Sequence, residues 1–228
     1  MVLTYYGHAS FCLEINDIHL LFDPFISPNE LAKSIDINAI KADYILLSHA
    51  HEDHIADALA IAKRTGAKII SSWEIVVWAQ KNGIENTHPM NTGGAFEFTF
   101  GTVKCLSAVH SSSFPDGSYG GNPMGFLITD KDGKSVYYAG DTALTLDMQL
   151  IPRFTSNLLA AILPIGDNFT MGYKDARIAA EFCEAKHIIG VHYDTFGYIM
   201  INQANAISYF SEKEIKLSLP AIGQKVEL

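Results

Sequence analysis

Three histidines and an aspartate fall within six positions of this 228-residue chain, in the run Ser48-His49-Ala-His51-Glu-Asp53-His54. Neutral imidazole and carboxylate are the side chains that hold zinc, iron or manganese. Glu52 fills the unconstrained position of the pattern and is left out of the candidate ligands. Three more ligand-type residues, His110, Asp141 and His192, each follow an apolar segment of strand type. An isolated His or Asp in such a place is ordinarily a turn residue. Three of them beside a His-x-His-x-Asp-His run point to one shared site. Seven such donors suit two cations rather than one. Residues two apart in extended chain point to the same side, so His49 and His51 can grip one ion together. Asp53 and His54 open a helix and can turn toward a second ion. Asp141, a carboxylate, is the natural bridge.

The elements that must position these groups are legible from hydropathic period and turn residues. Leu3–Tyr6, Phe11–Ile15 and His19–Phe22 alternate as antiparallel strands, with Asn16-Asp17 as a hairpin turn. Residues 28–42 read as a loop with one helical turn. Strand 43–48, helix 53–64, strand 68–71 and helix 73–82 follow, with Gly66 and Gly83 just past the helices. A second block repeats the order: strands 95–100, 102–108, 124–129 and 135–139, then helix 146–153, strand 158–163, helix 174–186, strand 187–191 and helix 202–210. Short strands near 214–218 and 225–228 end the chain. Strands followed by alternating β and α, twice over, predict two sheets face to face with helices outside. The ligand-type residues then sit at carboxyl ends of strands, where open α/β sheets place their sites. The loop 111–123 is long for a compact domain and reads either as a rim over the pocket or as a plain surface connection. Trp73 and Trp78 read as core.

Bulk properties narrow the class. With 48% hydrophobic residues and no linker-like stretch, residues 1–228 read as one domain. A net charge of −9 weighs against nucleic acid and anionic membranes as partners. No apolar run approaches the roughly 20 residues of a membrane span, and the N-terminus lacks the basic and apolar regions of a signal peptide. Cys12, Cys105 and Cys183 are far apart in apolar contexts and read as buried free thiols in a reducing cytoplasm. A small-molecule substrate is the expected partner, and homo-oligomerisation is left open.

The ordered set His49-x-His51-x-Asp53-His54, His110, Asp141, His192 resembles the metallo-β-lactamase superfamily over essentially the whole chain. Flanking words are narrower. Tyr6-Gly-His-Ala-Ser-Phe11, Phe22-Asp-Pro24, Tyr138-Ala-Gly-Asp-Thr142, Leu163-Pro-Ile-Gly-Asp167, Phe169-Thr-Met-Gly172 and His192-Tyr-Asp-Thr-Phe196 are similar to small bacterial metal-dependent hydrolases related to ascorbate-6-phosphate lactonase. The resemblance implies an α/β fold, the four-layer αββα sandwich. It also implies one metal on His49, His51 and His110, a second on Asp53, His54 and His192, and Asp141 between them. The expected enzyme is a metal-dependent hydrolase whose metal-bound hydroxide attacks a small-molecule ester, lactone or phosphoester. Two divalent ions are expected, zinc first, with manganese, iron and nickel as alternatives. An iron-dependent redox enzyme on the same fold, or a nuclease, is the alternative reading.

Asp53 and His8 are the expected catalytic residues. Asp53 would orient the nucleophile or pass a proton to the leaving group; His8, like Asp23, is a candidate to support the ligands from behind, and would otherwise face substrate or sit satisfied in the core. Asp23 is an expected partner of a ligating imidazole. Asp167 is a candidate for a place over the site, and Thr195 and Asn122 are weaker ones. His19, His88 and His187 have no partner pattern and read as structural or exposed.

Overall fold

In a computed structural model describing residues 1–228, the chain opens with an antiparallel meander, β1 (Val2–Gly7), β2 (Ser10–Ile15) and β3 (Ile18–Phe22). Asn16 and Asp17 make its hairpin turn with φ of 49° and 64°, values that short polar side chains tolerate best after glycine. Next come β4 (Tyr44–Leu46), β5 (Lys68–Ser72) and β6 (Thr87–Met90), paired in parallel. Helices α1 (Glu52–Ile55), α2 (Ala58–Thr65) and α3 (Trp73–Lys81) make the crossovers. The second sheet repeats the plan. β7 (Ala95–Phe98), β8 (Gly101–Ser107), β9 (Met124–Asp130) and β10 (Ser135–Tyr138) are antiparallel. β11 (Leu158–Pro164), β12 (His187–Val191) and β13 (Lys216–Ser218) then add in parallel, with α4 (Ile151–Phe154), α5 (Tyr173–Phe182) and α6 (Gln203–Ser211) between them. β14 (Lys225–Glu227) returns to the first sheet and pairs with β1, so each sheet has seven strands.

The sheets face each other across a shared core, in which Leu13, Leu20 and Phe22 meet Phe126, Tyr138 and Ile162. Phe11 stacks on Phe22 at 4.5 Å with Tyr138 edge-on at 5.1 Å. The parallel strands are apolar on both faces, as strands covered on both sides must be. Leu46 and Ile70 enter the core between the sheets, while Ile45 and Ile69 pack with Ile61, Ile75 and Ala79 of α2 and α3. On the other sheet α5 and α6 bury Ala176, Ala180 and Phe210. The result is the four-layer αββα arrangement anticipated from the doubled element order. No helix is long and apolar enough to cross a membrane.

Several elements differ from expectation. The predicted helix 53–64 is broken at Asp57. There the backbone N–H donates to Pro24 O at 3.0 Å, and the carboxylate accepts from the Ile26 and Ser27 N–H groups at 2.7 and 2.8 Å. The helix expected at 146–153 is a tighter-wound turn over Leu146–Leu150 followed by the short α4, and α5 stops at Phe182. β6 escaped the sequence reading because Pro89 argues against a strand; it is tolerated on an edge strand paired only with β5. Trp73 is not core: it opens α3 and is 62% exposed, whereas Trp78 stacks on Phe114 at 5.3 Å.

Candidate metal centre

Six strands deliver polar residues to one edge of the sandwich. His8 follows β1, Asp23 follows β3, the run Ser48 to His54 follows β4, His110 follows β8, Asp141 follows β10 and His192 follows β12. Three of these turns are strained. His8, Asp23 and His192 have φ of 53°, 39° and 56°, a region that costs a non-glycine residue on the order of 1–3 kcal/mol. Two of them are tied together, since His8 O accepts from His192 N at 2.8 Å and from the Tyr5 hydroxyl at 3.0 Å. Glycine is required where backbones crowd this edge. A Cβ at Gly166 would stand 2.1 Å from His192 O, and one at Gly140, whose φ is 64°, would meet Met124 O and Ser48 Cβ at 3.0 Å.

The structure brings all seven predicted donors together. His49 Nε2 and His51 Nδ1 lie 2.9 Å apart, and with His110 they form a trio whose ligand atoms lie within 4.8 Å of one another. Asp53, His54 and His192 make a second group within the same limit. Asp141 Oδ2 stands beside both, 3.0 Å from His192 Nε2, 3.3 Å from His54 Nε2 and 3.7 Å from His110 Nε2.

Asp23 and His8 come equally near, but their atoms are committed to support. Asp23 accepts four hydrogen bonds: from Ser48 N at 2.7 Å, Ser48 Oγ at 2.5 Å, the Tyr138 hydroxyl at 2.6 Å and His54 Nδ1 at 2.9 Å. Ser48 gives Asp23 its single proton, so His49 Nδ1 must be the donor in its 2.9 Å bond to Ser48 Oγ. Both rings are thereby fixed with Nε2 aimed into the cluster, the usual way in which a neighbour sets the tautomer of a ligating histidine. Burial lowers the His8 imidazole to about 4, so the ring is neutral near pH 7. Its Nε2–H donates to Asp53 Oδ2 at 3.0 Å and Nδ1 accepts from the Thr195 hydroxyl at 3.0 Å. Of the readings open for His8, the structure places it as a support behind a candidate ligand and not facing substrate. It is buried behind Asp53 and orients that carboxylate.

The electrostatics ask for a cation. Burial alone would raise Asp141 and Asp53, but His192 and His54 hold Asp141 well below the usual carboxylate range, and His54 and His8 do the same for Asp53. Burial pushes His49 down. Burial would also lower His54, yet Asp141 and Asp23 outweigh it and hold this imidazole well above its ordinary value. The buried carboxylates thus demand positive charge, from a proton on His54 or from a bound ion. His54 Nε2 and Asp141 Oδ1 are buried without a hydrogen-bond partner, a rare condition in a native interior. Unpartnered imidazole nitrogen and carboxylate oxygen, set among further donors of the same kinds, fit divalent transition-metal ions.

The cluster floors an open cleft of about 270 Å³, walled by Ser111 and by two aromatic rings, Phe169 and Phe196. Of the loop 111–123 only Ser111 reaches the cleft; the rest closes on itself through the Ser113–Tyr119 bridge and packs Phe114 against Trp78. Asn122 accepts from the Tyr119 hydroxyl and does not line the cleft. Asp167 is an exposed turn residue with φ of 64°, whose side chain accepts from Asn168 N; its loop supplies Phe169 instead. His19 bonds Asp43, His187 bonds Ser218 and His88 packs on Phe96, all outside the site. Sequence reasoning missed Phe169 and Phe196, which sit in irregular loops without period. It read Tyr138 only as the start of the word Tyr138-Ala-Gly-Asp-Thr142 and gave it no part in the site.

Residues 19–193 match the model of the Beta-lactamase superfamily domain. The chain is 57% identical to a UPF0173 metal-dependent hydrolase of Christiangramia forsetii and 55% identical to one of Flavobacterium johnsoniae, covering 100% of both chains in each case. Among solved structures it is similar to Igni18, a metallo hydrolase of the archaeon Ignicoccus hospitalis, with a TM-score of 0.87 and 34% identity over 99% of this chain and 97% of that one.

Proposed function

Because the chain belongs to the metallo-β-lactamase superfamily, as one of its metal-dependent hydrolases, we propose that it hydrolyses an ester, lactone or phosphoester bond of a small molecule at this edge of the sandwich. In this reading His49, His51 and His110 would hold one divalent cation and Asp53, His54 and His192 a second, zinc first, and Asp141 would serve as a further ligand. The observation that carries it is the convergence of seven donors from four separate loops, including buried atoms that have no other partner. When bound, such cations polarise the scissile group and acidify water.

The chain's own residues supply the rest. One Asp53 oxygen is fixed by His8, which leaves the other to take a proton from the attacking water and return it to the leaving group. Thr195 holds His8, and so keeps that carboxylate in one orientation. Ser48 and Asp23 hold the His49 and His54 rings with Nε2 inward. The three cysteines are buried and unpaired, which supports a reducing cytoplasm as the place of action.

Elemental analysis of protein purified without added metal should find close to two zinc ions per chain. Metal-loaded protein should turn over at least one of three compound classes: esters, lactones or phosphodiesters. Iron in place of zinc, with oxygen uptake and no hydrolysis of these or of β-lactams, would overturn this reading in favour of a redox enzyme.

A further inference from the structure

Apart from the proposed metal ions, the cleft above the cluster offers no basic side chain to an anionic group. None of its eight lining residues is Lys or Arg, and its two apolar members are Phe169 and Phe196. These rings belong to a larger exposed group. Phe169 is 52% exposed, Phe196 37%, and Tyr198, next along the same loop, 76%. Phe169 and Phe196 line the cleft, and Tyr198 stands outside it against Phe169, so the exposed rings form one contiguous patch that reads as a contact surface.

The rings are also held in place. Phe196 lies edge-on to His8 at 5.2 Å and 6.2 Å from Phe25, so it is packed on the residue that orients Asp53. Tyr198 lies edge-on to Phe169 at 6.0 Å, which joins two loops into one wall. Asp194 braces the segment bearing Phe196 and Tyr198: its N–H donates to Ile199 O at 2.8 Å, and its carboxylate accepts from Ile201 N at 2.9 Å and from Gln203 Nε2 at 2.7 Å. A pre-set wall of this kind gains affinity because little ordering is left to do on binding.

We propose that this wall is a substrate subsite for an uncharged planar group, an aryl ring or its like, attached next to the scissile bond. The proposal rests on the hydrolase reading and names its substrate class. Planar rings gain offset or edge-to-face contacts with Phe169 and Tyr198 that a puckered aliphatic ring of equal size does not. An anionic group on the far side of such a substrate would need an Arg or Lys of its own. It would find none in the cleft, in a chain whose net charge is −9.

Binding tests this without turnover. The probes are N-benzylacetamide, N-(cyclohexylmethyl)acetamide and N-(para-sulfobenzyl)acetamide, which share one head group, titrated by ligand-observed NMR against the metal-loaded protein. The benzyl compound should bind about tenfold more tightly than either of the others, the scale set by a well-made aromatic contact. Phe169→Ala and Tyr198→Ala, at exposed positions where truncation leaves the core intact, should each remove most of that preference, and Phe169→Tyr should keep it. Trp73→Ala, an exposed aromatic on α3 outside the cleft, should leave it unchanged. Equal binding of the three probes, tightest binding of the sulfonate, or a preference that survives both alanine variants would overturn the subsite. Ring preference in a protein that hydrolyses no ester, lactone or phosphoester would instead sink the hydrolase reading and leave the subsite standing.

Discussion

The two halves of the cluster are built to different standards. On one side His54 and His192 are buried, Asp53 is tied to His8, and His54 is tied to Asp23. Asp23 itself collects donors from Ser48 and Tyr138. On the other side His49 is buried but His51 and His110 are half-buried, and they line the cleft together with Asp53 and His192 of the first side. Their support is thin: Ser48 fixes His49, and Ser111 stands 3.4 Å from His51 Nε2. The difference has a source in the fold. β1 and β3 contribute none of the proposed ligands, yet their ends bring His8 and Asp23 behind the buried half in strained turns. The N-terminal meander thus braces one half-site directly and reaches the other only through Ser48, which also holds His49.

The largest effect should come from removing that brace. Asp23→Ala leaves the Ser48 N–H, the Tyr138 hydroxyl and His54 Nδ1 buried without their acceptor, and each such group costs about 1–3 kcal/mol. Denaturant unfolding should register a loss on the order of 3–5 kcal/mol, and metal titration should show binding to the buried half weakened roughly 10–100-fold. An unchanged unfolding midpoint would mean that the meander does not brace the site; Asp23→Asn, which keeps the volume, should lie between the two. Asp53→Asn acts on chemistry rather than on folding. It retains an oxygen for His8 but loses the basic one, so kcat should fall roughly 10²–10⁴-fold with KM little changed. Matched losses in binding and rate would remove Asp53 from proton transfer.

The fold was readable because its logic is repeated. Two blocks of alternating strands, each followed by β and α, can bury their apolar faces only as two sheets with helices outside. The crowding at 49–54, and His110, Asp141 and His192 after apolar strands, were readable because a ligand type at a strand end is a local pattern. The brace was only half readable. Asp23 was anticipated as a partner for an imidazole, but the Thr195–His8 bond joins residues 187 positions apart, and no local pattern carries that. Asp57 was hidden for a related reason: its bonds run back to Ile26 and Ser27, so a helix that is periodic in sequence is broken by a tertiary contact. The aromatic wall escaped because Phe169 and Phe196 lie in loops and Tyr198 in a single tight turn, Gly197–Ile199, where exposure follows from path rather than period.

Partial chelation sets the halves against each other directly. Stepwise titration with EDTA should remove metal in two phases. The first should shift the ring resonances of His51 and His110 before those of His54 and His192, because open, weakly supported ligands release an ion more readily. One concerted phase would erase the distinction between the halves.

The smallest effects make the finest comparison, since they touch no proposed ligand. Thr195→Val removes the hydroxyl that donates to His8 Nδ1 at 3.0 Å, while keeping the shape of the side chain. A neutral His8 is then free to choose the other tautomer, with its N–H away from Asp53, so the carboxylate loses its fixed orientation. Activity should fall about tenfold, and Thr195→Ser should restore most of it. Ser111→Ala removes a contact that is already long and solvent-exposed at 3.4 Å, so its effect should stay within about threefold. If the two substitutions cost the same, support on the buried half does no more than support at the open edge, and the asymmetry is one of burial alone.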